Sequence, residues 1–517
     1  MRLDPKTAPD VTMPSDPVSA VTTCLRSVYN VPVFAGFRCT KARLPGRLGK
    51  CDIVCRSYGN PQAGKSMQTN FSSVVSSVIC PLLSLLMSAG SVAAVEIPSA
   101  MPGVDKKIAA SLPGWLDLYK TCHENPELSS HEKQSAARLA GLFRDAGYEV
   151  TENIGGYGVV GVMKNGNGPT VLIRGDMDAL PITEETGLPF ASKVKVELGD
   201  GSHVGVMHAC GHDMHQTVLA ATAQTLAAMK DKWKGTVLLV AQPAEEIGQG
   251  ARLMIEDGLF KRFPMPDKCI ALHVSHELAT GAIGYTSGWV WANVDSVDIT
   301  VHGKGGHGAY PHASIDPIVT ACQIVSALQT IISRRINPLD QAVITVGSIH
   351  AGTKHNIIPA TAVMQITVRT FTDEVRKEVL DSIKRIAINT ARAMGCPKDP
   401  DVVVLDKDFT PAAYNDPDLT AHAVNLFEKL IGKDNVHERP PSMGGEDFGL
   451  FAKTAGVPGF MFVLGVVDEA RFEASKKPGG EALPTVHSSK FRTEPEPTLR
   501  TGVRCMTGLA LSLLNGQ

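Results

Sequence analysis

The chain has little net charge, no internal repeat, no low-complexity tract and no cysteine framework, and each absence removes a class of function. Its 50 Lys and Arg stand against 52 Asp and Glu, a formal charge of −2. The distribution is uneven. Residues 1–94 hold ten basic and four acidic residues, so residues 95–517 hold 40 basic and 48 acidic. An acidic body without a basic stripe excludes nucleic acid as the expected partner. The 11 cysteines lie at 24, 39, 51, 55, 80, 122, 210, 269, 322, 396 and 505, too scattered for a small disulfide scaffold. The balance of 43% hydrophobic and 20% charged residues is that of a soluble globular protein. A length of 517 residues predicts more than one domain.

Residues 1–66 are rich in Arg, Pro, Ser and Cys and have no hydrophobic period. They are expected to form no stable fold, as a disordered leader upstream of a true start at Met67 or as a transit peptide. Residues 67–94 read as a signal peptide-like segment. Val74-Val75, Val78-Ile79-Cys80 and residues 82–87 form an apolar core, and Val92-Ala93-Ala94 offers a small-residue cleavage site. Serines and Pro81 make it a poor spanning helix, so no stable membrane partner is expected. The location this predicts is export to a bacterial periplasm, with a cytoplasmic or organellar location as the alternative. Six cysteines remain after cleavage at Ala94. Four of the five besides Cys210 read as buried small hydrophobes in regular elements.

What is present is a set of metal-capable side chains at the ends of apolar runs. His208-Ala209-Cys210-Gly211-His212-Asp213 places a thiol and an imidazole two residues apart. The short run Val204–Met207 reads as a strand before it and Thr217–Met229 as a helix after it, so the pair sits on a strand-to-helix loop. The β-favouring run Thr236–Val240 reads as a buried parallel strand and leads to Glu245-Glu246. Alone, such a pair is more often a solvated helix start. Cys269–His273 is an apolar strand ending on a histidine, and Pro484-Thr485-Val486-His487 puts another in a loop near the C-terminus. Thiolate, imidazole and carboxylate are ligands of zinc-like cations, and as members of one set these residues are better explained as ligands. A carboxylate beside a ligating one is the group that metal-assisted hydrolysis uses as general base.

The surrounding order predicts an α/β fold. Helices over 105–147, a strand at Tyr148–Asn153, and Val159–Lys164 with Thr170–Arg174 as a hairpin or neighbouring strands open a mainly parallel sheet. Residues 293–409 change character. Strands at 297–302, 342–349, 362–370 and 402–405 and helices at 315–335 and 374–394 give the order βαββαβ, an inserted domain. The catalytic domain then comprises 105–292 and 410–517.

These motifs resemble those of the aminoacylase/carboxypeptidase metallopeptidases of clan MH, in particular the amidohydrolase subfamily of hippurate hydrolase and the plant auxin-conjugate hydrolases. The resemblance runs from about residue 105 to the C-terminus. It is carried by His123-Glu124-Asn125-Pro126-Glu127-Leu128, Arg174-Gly175-Asp176-Met177-Asp178, the segment from His208 to His215, and Pro243-Ala244-Glu245-Glu246. It continues through Gly303-Lys304-Gly305-Gly306-His307, His355-Asn356-Ile357-Ile358-Pro359, Gly444-Gly445-Glu446-Asp447-Phe448 and His487. Where the wider family has a histidine ligand two residues before the first-motif aspartate, this chain has Asp176, whose role the resemblance leaves open.

The resemblance implies a parallel-sheet di-metal catalytic domain with an inserted ferredoxin-like lid/dimerisation domain, in a homodimer or higher homo-oligomer. Two divalent metal ions per subunit (Zn, Mn, Co or Ni) would be held by Cys210 as bridging thiolate, His212 and His273 at one site, and Glu246 and His487 at the other. Glu245 would be the general base and Asp178 would orient a ligand, with Asp213 doing the same or capping a helix. His307 would stabilise the oxyanion. Asn356 and Arg369 would bind the substrate carboxylate, and Gly444, Gly445 and Phe448 would line the pocket. The expected reaction is hydrolysis of an N-acyl amino acid. The alternatives are a dipeptidase or carboxypeptidase on short peptides, and a non-catalytic metal-binding protein on the same fold.

Overall fold

The computed structural model describes residues 37–40, 54–57, 101–199 and 201–516. The chain divides into two compact units, 1–94 and 95–517. In the first, the described residues are a short antiparallel pair, Phe37–Thr40 with Val54–Ser57. The signal peptide-like segment 67–94 lies outside the described residues.

The second unit opens with helices α1 (Pro102–Glu124) and α2 (Lys133–Asp145). Strands β1 (Glu149–Ile154), β2 (Gly158–Asn165) and β3 (Thr170–Asp176) follow, then α3 (His212–Ala228), β4 (Gly235–Gln242), β5 (Lys268–Ala279) and β6 (Ile283–Tyr285). The next stretch supplies β7 (Asn293–His302), α4 (Pro317–Arg334), β8 (Ala342–His350), β9 (Thr361–Thr370), α5 (Asp373–Ala393) and β10 (Asp401–Val404). The chain returns with α6 (Pro417–Ile431), β11 (Val436–Glu438), β12 (Gly459–Val467) and α7 (Pro495–Leu514).

The fold is mixed α/β with a mostly parallel central sheet. Eight strands lie in the order β11-β6-β12-β5-β3-β4-β2-β1. The inner four, β12, β5, β3 and β4, run parallel, and β2 and β1 continue antiparallel. Continuous apolar runs are what a strand covered on both faces requires. Along β3, Val171 and Ile173 face a core built with α1, α3 and α7. Leu172 faces a second core with Leu238, Val240 and Phe451. This double burial corrects the expected pairing of 159–164 with 170–174. The run in β4 is apolar on both sides and lies between β2 and β3, so the two expected neighbours do not pair with each other.

Residues 293–404 form a separate four-stranded antiparallel sheet, β8-β9-β7-β10, reached in the order strand, helix, strand, strand, helix, strand. Period-2 burial along β7 alternates Val297, Ile299 and Val301 inward. With Ile324, Leu328, Val379 and Ile383 from α4 and α5 these residues make a core of their own. Among the described residues, no helix is long and apolar enough to cross a membrane.

Candidate metal centre

The loop of Cys210 is not at the end of a main-sheet strand. Among the described residues, His203–Gly205 pairs with Lys195–Glu197 in a small ribbon, and Met207 bridges to Leu180. The α3 helix starts earlier than its apolar period predicts, at His212, with Gly211 as N-cap at φ +79°. That left-handed conformation suits glycine, and a Cβ there would meet Val274 Cγ2 at 2.5 Å. The turn places Cys210 and His212 on either side of the helix start. Glu245-Glu246 follows β4, and His273 lies within β5, which runs on to Ala279. His487 sits in a loop whose backbone N–H donates to the Ala209 carbonyl at 2.8 Å.

The structure gathers all five expected ligands and Glu245. The donor atoms of Cys210, His212 and His273 lie within 4.8 Å of one another, as do those of Cys210, Glu246 and His487, and those of His212, Glu245 and Glu246. Cys210 Sγ is 3.4 Å from His273 Nε2. His487 Nε2 is 3.3 Å from Glu246 Oε2. The other ring nitrogens are anchored by backbone: His212 Nδ1 lies 2.8 Å from the Asp178 carbonyl, and His273 Nδ1 2.7 Å from the Val274 carbonyl. Such anchoring fixes the tautomer that leaves Nε2 free for a cation.

This geometry fits divalent cations. His212 Nε2 and Glu246 Oε1 are buried and have no hydrogen-bond partner, a costly state unless something else binds them. The anionic groups are also too crowded for one another. Burial first, then the Glu446 and Glu246 carboxylates, push Glu245 well above its ordinary range, against the pull of His212. Burial, opposed by His212, raises Glu246 to about 7, and burial and Glu246 push the Cys210 thiol well up. His273 is lowered to about 3 by burial and the neighbouring His215, which leaves the neutral imidazole that ligation needs.

Beneath this cluster lies a charged layer that motif spacing did not resolve. Arg174 is buried and donates to Gln242 (2.8 Å), Asp176 (2.6 Å), Glu446 (2.8 Å) and Asp447 (3.3 Å). Asp176 also meets His215 Nδ1 at 2.6 Å, and Val274 N–H donates to His215 Nε2 at 2.9 Å. Despite burial, Arg174, His212 and His215 hold Asp176 well below the usual carboxylate range. Asp176 therefore joins the arginine to α3 and, through His215, to β5. Asp178 accepts from Ser129 Oγ (2.6 Å) and from the Glu246 N–H (2.9 Å), and its Oδ1 is 3.4 Å from His212 Nδ1. Glu132, also unforeseen, accepts from the N–H groups of Ser130 and Ala244, both at 2.8 Å. Those two residues and His487 have positive φ (66°, 53° and 66°), a conformation that costs non-glycine residues on the order of 1–3 kcal/mol.

Asp213 lies 2.7 Å from His123 Nδ1, and Glu184 lies 3.0 Å from His123 Nε2. Asp213 Oδ1 also accepts the Met214 N–H, so it ties α1 to the start of α3. His307 and Asn356 are not drawn into the cluster. Their loops adjoin inside the insert, where Gly308 N–H donates to the Asn356 carbonyl at 2.8 Å and the His307 and Tyr310 rings lie tilted with centroids 5.3 Å apart. Arg369 on β9 is half-buried and reaches the body, since a side chain added at Gly445 would meet its guanidinium at 3.5 Å. Phe448 corrects the expected pocket lining: it is buried in the core with Phe451 and Met254. Cys122, Cys269 and Cys505 are buried as expected, Cys396 is half-buried, and Cys322 is exposed on α4.

A buried cluster of thiol, imidazole and carboxylate donors with a second carboxylate beside it is the equipment of a metal-dependent hydrolase. Comparison with known proteins agrees. The model of Peptidase family M20/M25/M40 matches residues 172–509. Thermostable carboxypeptidase 2 of Saccharolobus solfataricus is 37% identical over 404 residues, covering 77% of this chain and 95% of that one. Hippurate hydrolase of Campylobacter jejuni is 38% identical over 333 residues, 64% of this chain and 83% of that one. A Bacillus subtilis structure described as a dinuclear metal binding peptidase of family M20 superposes with TM-score 0.64 at 31% identity, covering 78% of this chain and 99% of that one. The chain belongs to the peptidase family M20/M25/M40 and is a metallo-amidohydrolase of that family. The non-catalytic alternative is left without support.

Proposed function

We propose that this chain hydrolyses the amide bond of an N-acyl amino acid of the hippurate type, releasing a carboxylic acid and a free amino acid. The observation that carries the reading is the convergence of unpartnered, buried His212 Nε2 and Glu246 Oε1 with Cys210 and His487, with Glu245 alongside. Cys210, His212 and His273 would hold one divalent ion, and Cys210, Glu246 and His487 the other, the metal being Zn, Mn, Co or Ni. Bound ions would supply Lewis-acid polarisation and lower the pKa of the attacking water. Glu245 takes that water's proton and delivers it to the leaving amine. Asp178 holds the His212 ring and the Glu246 backbone in place. Asn356 and Arg369 receive the amino acid's α-carboxylate, for which a guanidinium fork is suited.

The insert, in this reading, is a ferredoxin-like lid and dimerisation domain. Its support is one open sheet face and exposed apolar side chains, among them Ile349, Ile357 and Val403. His307 would then act as oxyanion donor from the neighbouring subunit of a homodimer. Export after cleavage near Ala94 belongs to the same proposal and rests on the apolar segment before it.

A second reading, a carboxypeptidase or dipeptidase on short peptides, is favoured by the similarity to the S. solfataricus enzyme. Metal-loaded protein should release glycine from hippurate and prefer N-acyl amino acids to dipeptides. Preference for dipeptides would establish the second reading, and no release from either would refute both.

A further inference from the structure

A cavity of about 340 Å³ lies directly beside the metal centre. Its wall includes His273 on β5 and Val486, the neighbour of His487, so it opens between two segments that carry ligands. That volume falls within the range of small-molecule sites. Val463 and Met461 of β12 and the Trp291 ring make an apolar side. Trp291 stands 5.8 Å from the His273 ring, centroid to centroid.

Two features of the wall are polar and incompletely used. The Trp291 indole N–H is buried and has no hydrogen-bond partner. An indole N–H can only donate, so a buried one without an acceptor calls for an oxygen atom from elsewhere. The second feature is Arg439, which is largely covered, with a quarter of its side chain exposed. Its backbone is pinned on both sides: the N–H donates to the Tyr285 carbonyl at 2.7 Å, and the carbonyl accepts from Thr286 Oγ1 at 2.9 Å. Ser275 Oγ accepts from one guanidinium nitrogen at 2.9 Å, and Glu277 pairs with another. Glu277 is more than half exposed, so that ion pair sits at the solvent rim. A guanidinium has five N–H groups, and these two partners leave donors for a further acceptor. Ordinary apolar acyl chains would leave both Trp291 and Arg439 as they are.

We infer that this cavity is the acyl subsite and that it selects acyl groups ending in a carboxylate, which Arg439 and the Trp291 N–H receive across an apolar wall. The inference rests on the amide-hydrolase reading, in which the α-carboxylate goes to the insert and the acyl group to the other side of the scissile bond. Arg439 and Trp291 are thus specificity-determining residues. A four- or five-carbon dicarboxylic acyl group, such as glutaryl, has the required apolar middle and anionic end.

The test compares N-glutaryl, N-pentanoyl and N-acetyl derivatives of one amino acid, chosen as the one released fastest from its N-acetyl form by the metal-loaded enzyme. The wild type should favour glutaryl over pentanoyl in kcat/KM, mainly through KM, by a factor on the order of 10 to 100, the size of a charge-assisted hydrogen bond. Arg439→Met should erase or invert that ratio. Trp291→Phe, which removes the N–H and keeps an aromatic wall, should reduce it by roughly 3- to 10-fold. A wild type that prefers pentanoyl, or variants with the wild-type ratio, would overturn the subsite while leaving the hydrolase reading intact. If Arg439→Met does not fold, the wild-type ratio and Trp291→Phe decide by themselves. Failure to hydrolyse any of the three substrates would refute the hydrolase reading, and the subsite with it.

Discussion

In the body's sheet the inner strands are buried along nearly their whole length, whereas in the insert's sheet burial alternates. Almost every residue of β4 and β12 is buried. On β7 and β9 alternate residues are buried, and those between them keep contact with solvent. The body's sheet is therefore covered on both faces along these strands, and its metal-capable side chains gather after β4, at the start of α3, within β5 and in the loop of His487. The insert has a free face, and it bears Thr367 and Arg369, which alternate with the buried Ile366, Val368 and Thr370. One region can hold ions in a fixed cage, and the other can present donors to something that arrives. The division of labour predicted from this is that changes to the body's donor cage should alter metal or stability, changes to Glu245 beside it should alter rate, and changes in the insert should alter rate or substrate affinity without touching metal.

The largest effect, and the one that would break the comparison outright, is expected at Glu245. Glu245→Gln should lower kcat by at least on the order of 100- to 10,000-fold with metal content unchanged by elemental analysis, while Glu246→Gln should lose metal. A Glu245→Gln enzyme with substantial activity would move the base elsewhere. Next comes the insert. His307→Ala should slow the chemical step by a factor on the order of 100 to 1,000 and leave metal binding untouched. Mixed with Glu245→Gln chains it should regain activity, because a heterodimer holds one site with both groups intact. A mixture verified to contain heterodimers, yet as inactive as its parents, would exclude action in trans.

Arg174→Met tests the charged layer under the body's cage. Leaving Asp176, Glu446 and Asp447 buried without their cation should cost about 3–5 kcal/mol in denaturant unfolding. A loss below about 1 kcal/mol would mean that these carboxyls are already neutral. The smallest expected effect sharpens the picture at α1. Burial alone would lower His123, but its hydrogen bonds with Asp213 and Glu184 raise it to about 10. A raised pKa means that the folded state holds a proton the unfolded state has released. The contribution is full below the ordinary imidazole value near 6.5 and is lost as pH rises through about 10. Thermal melts should show that decline, and His123→Gln should remove it.

Much of the site was legible because ligand chemistry restricts residue type. A histidine after an apolar run and another in a C-terminal loop, His273 and His487, are unusual enough in company with Cys210 to be singled out, and the structure brings them together, although His273 lies within β5 and does not close it. The insert was legible because its strands alternate and its helices are long. What stayed hidden was pairing. Nothing in 159–164 or 170–174 says that β4 comes between them, since each run looks equally apolar in isolation. The Arg174 layer was hidden for a related reason. Its carboxylates come from Asp176 and from Glu446-Asp447, about 270 residues away, and only the packed sheet shows that one guanidinium serves both. Phe448 lay in a motif that carries chemistry, and so was assigned to a pocket when its ring belongs to the core.

The distance along the chain between the ligands has a consequence for how the protein is made. His273 and His487 are 214 residues apart, and the insert, with its own core, lies between them. At ribosomal rates of roughly 5–20 residues per second, about 10–40 s separate the synthesis of these two histidines. During that interval the insert can fold, while Cys210, His212, Glu245 and Glu246 wait without His487, which would complete the second of the proposed ion sites, and without α7, which covers the sheet. A nascent chain therefore holds an incomplete set of donors until His487 is made. In the proposed ligand set, the site of Cys210, His212 and His273 has all its protein donors early, and the site of Cys210, Glu246 and His487 is completed only by the late histidine.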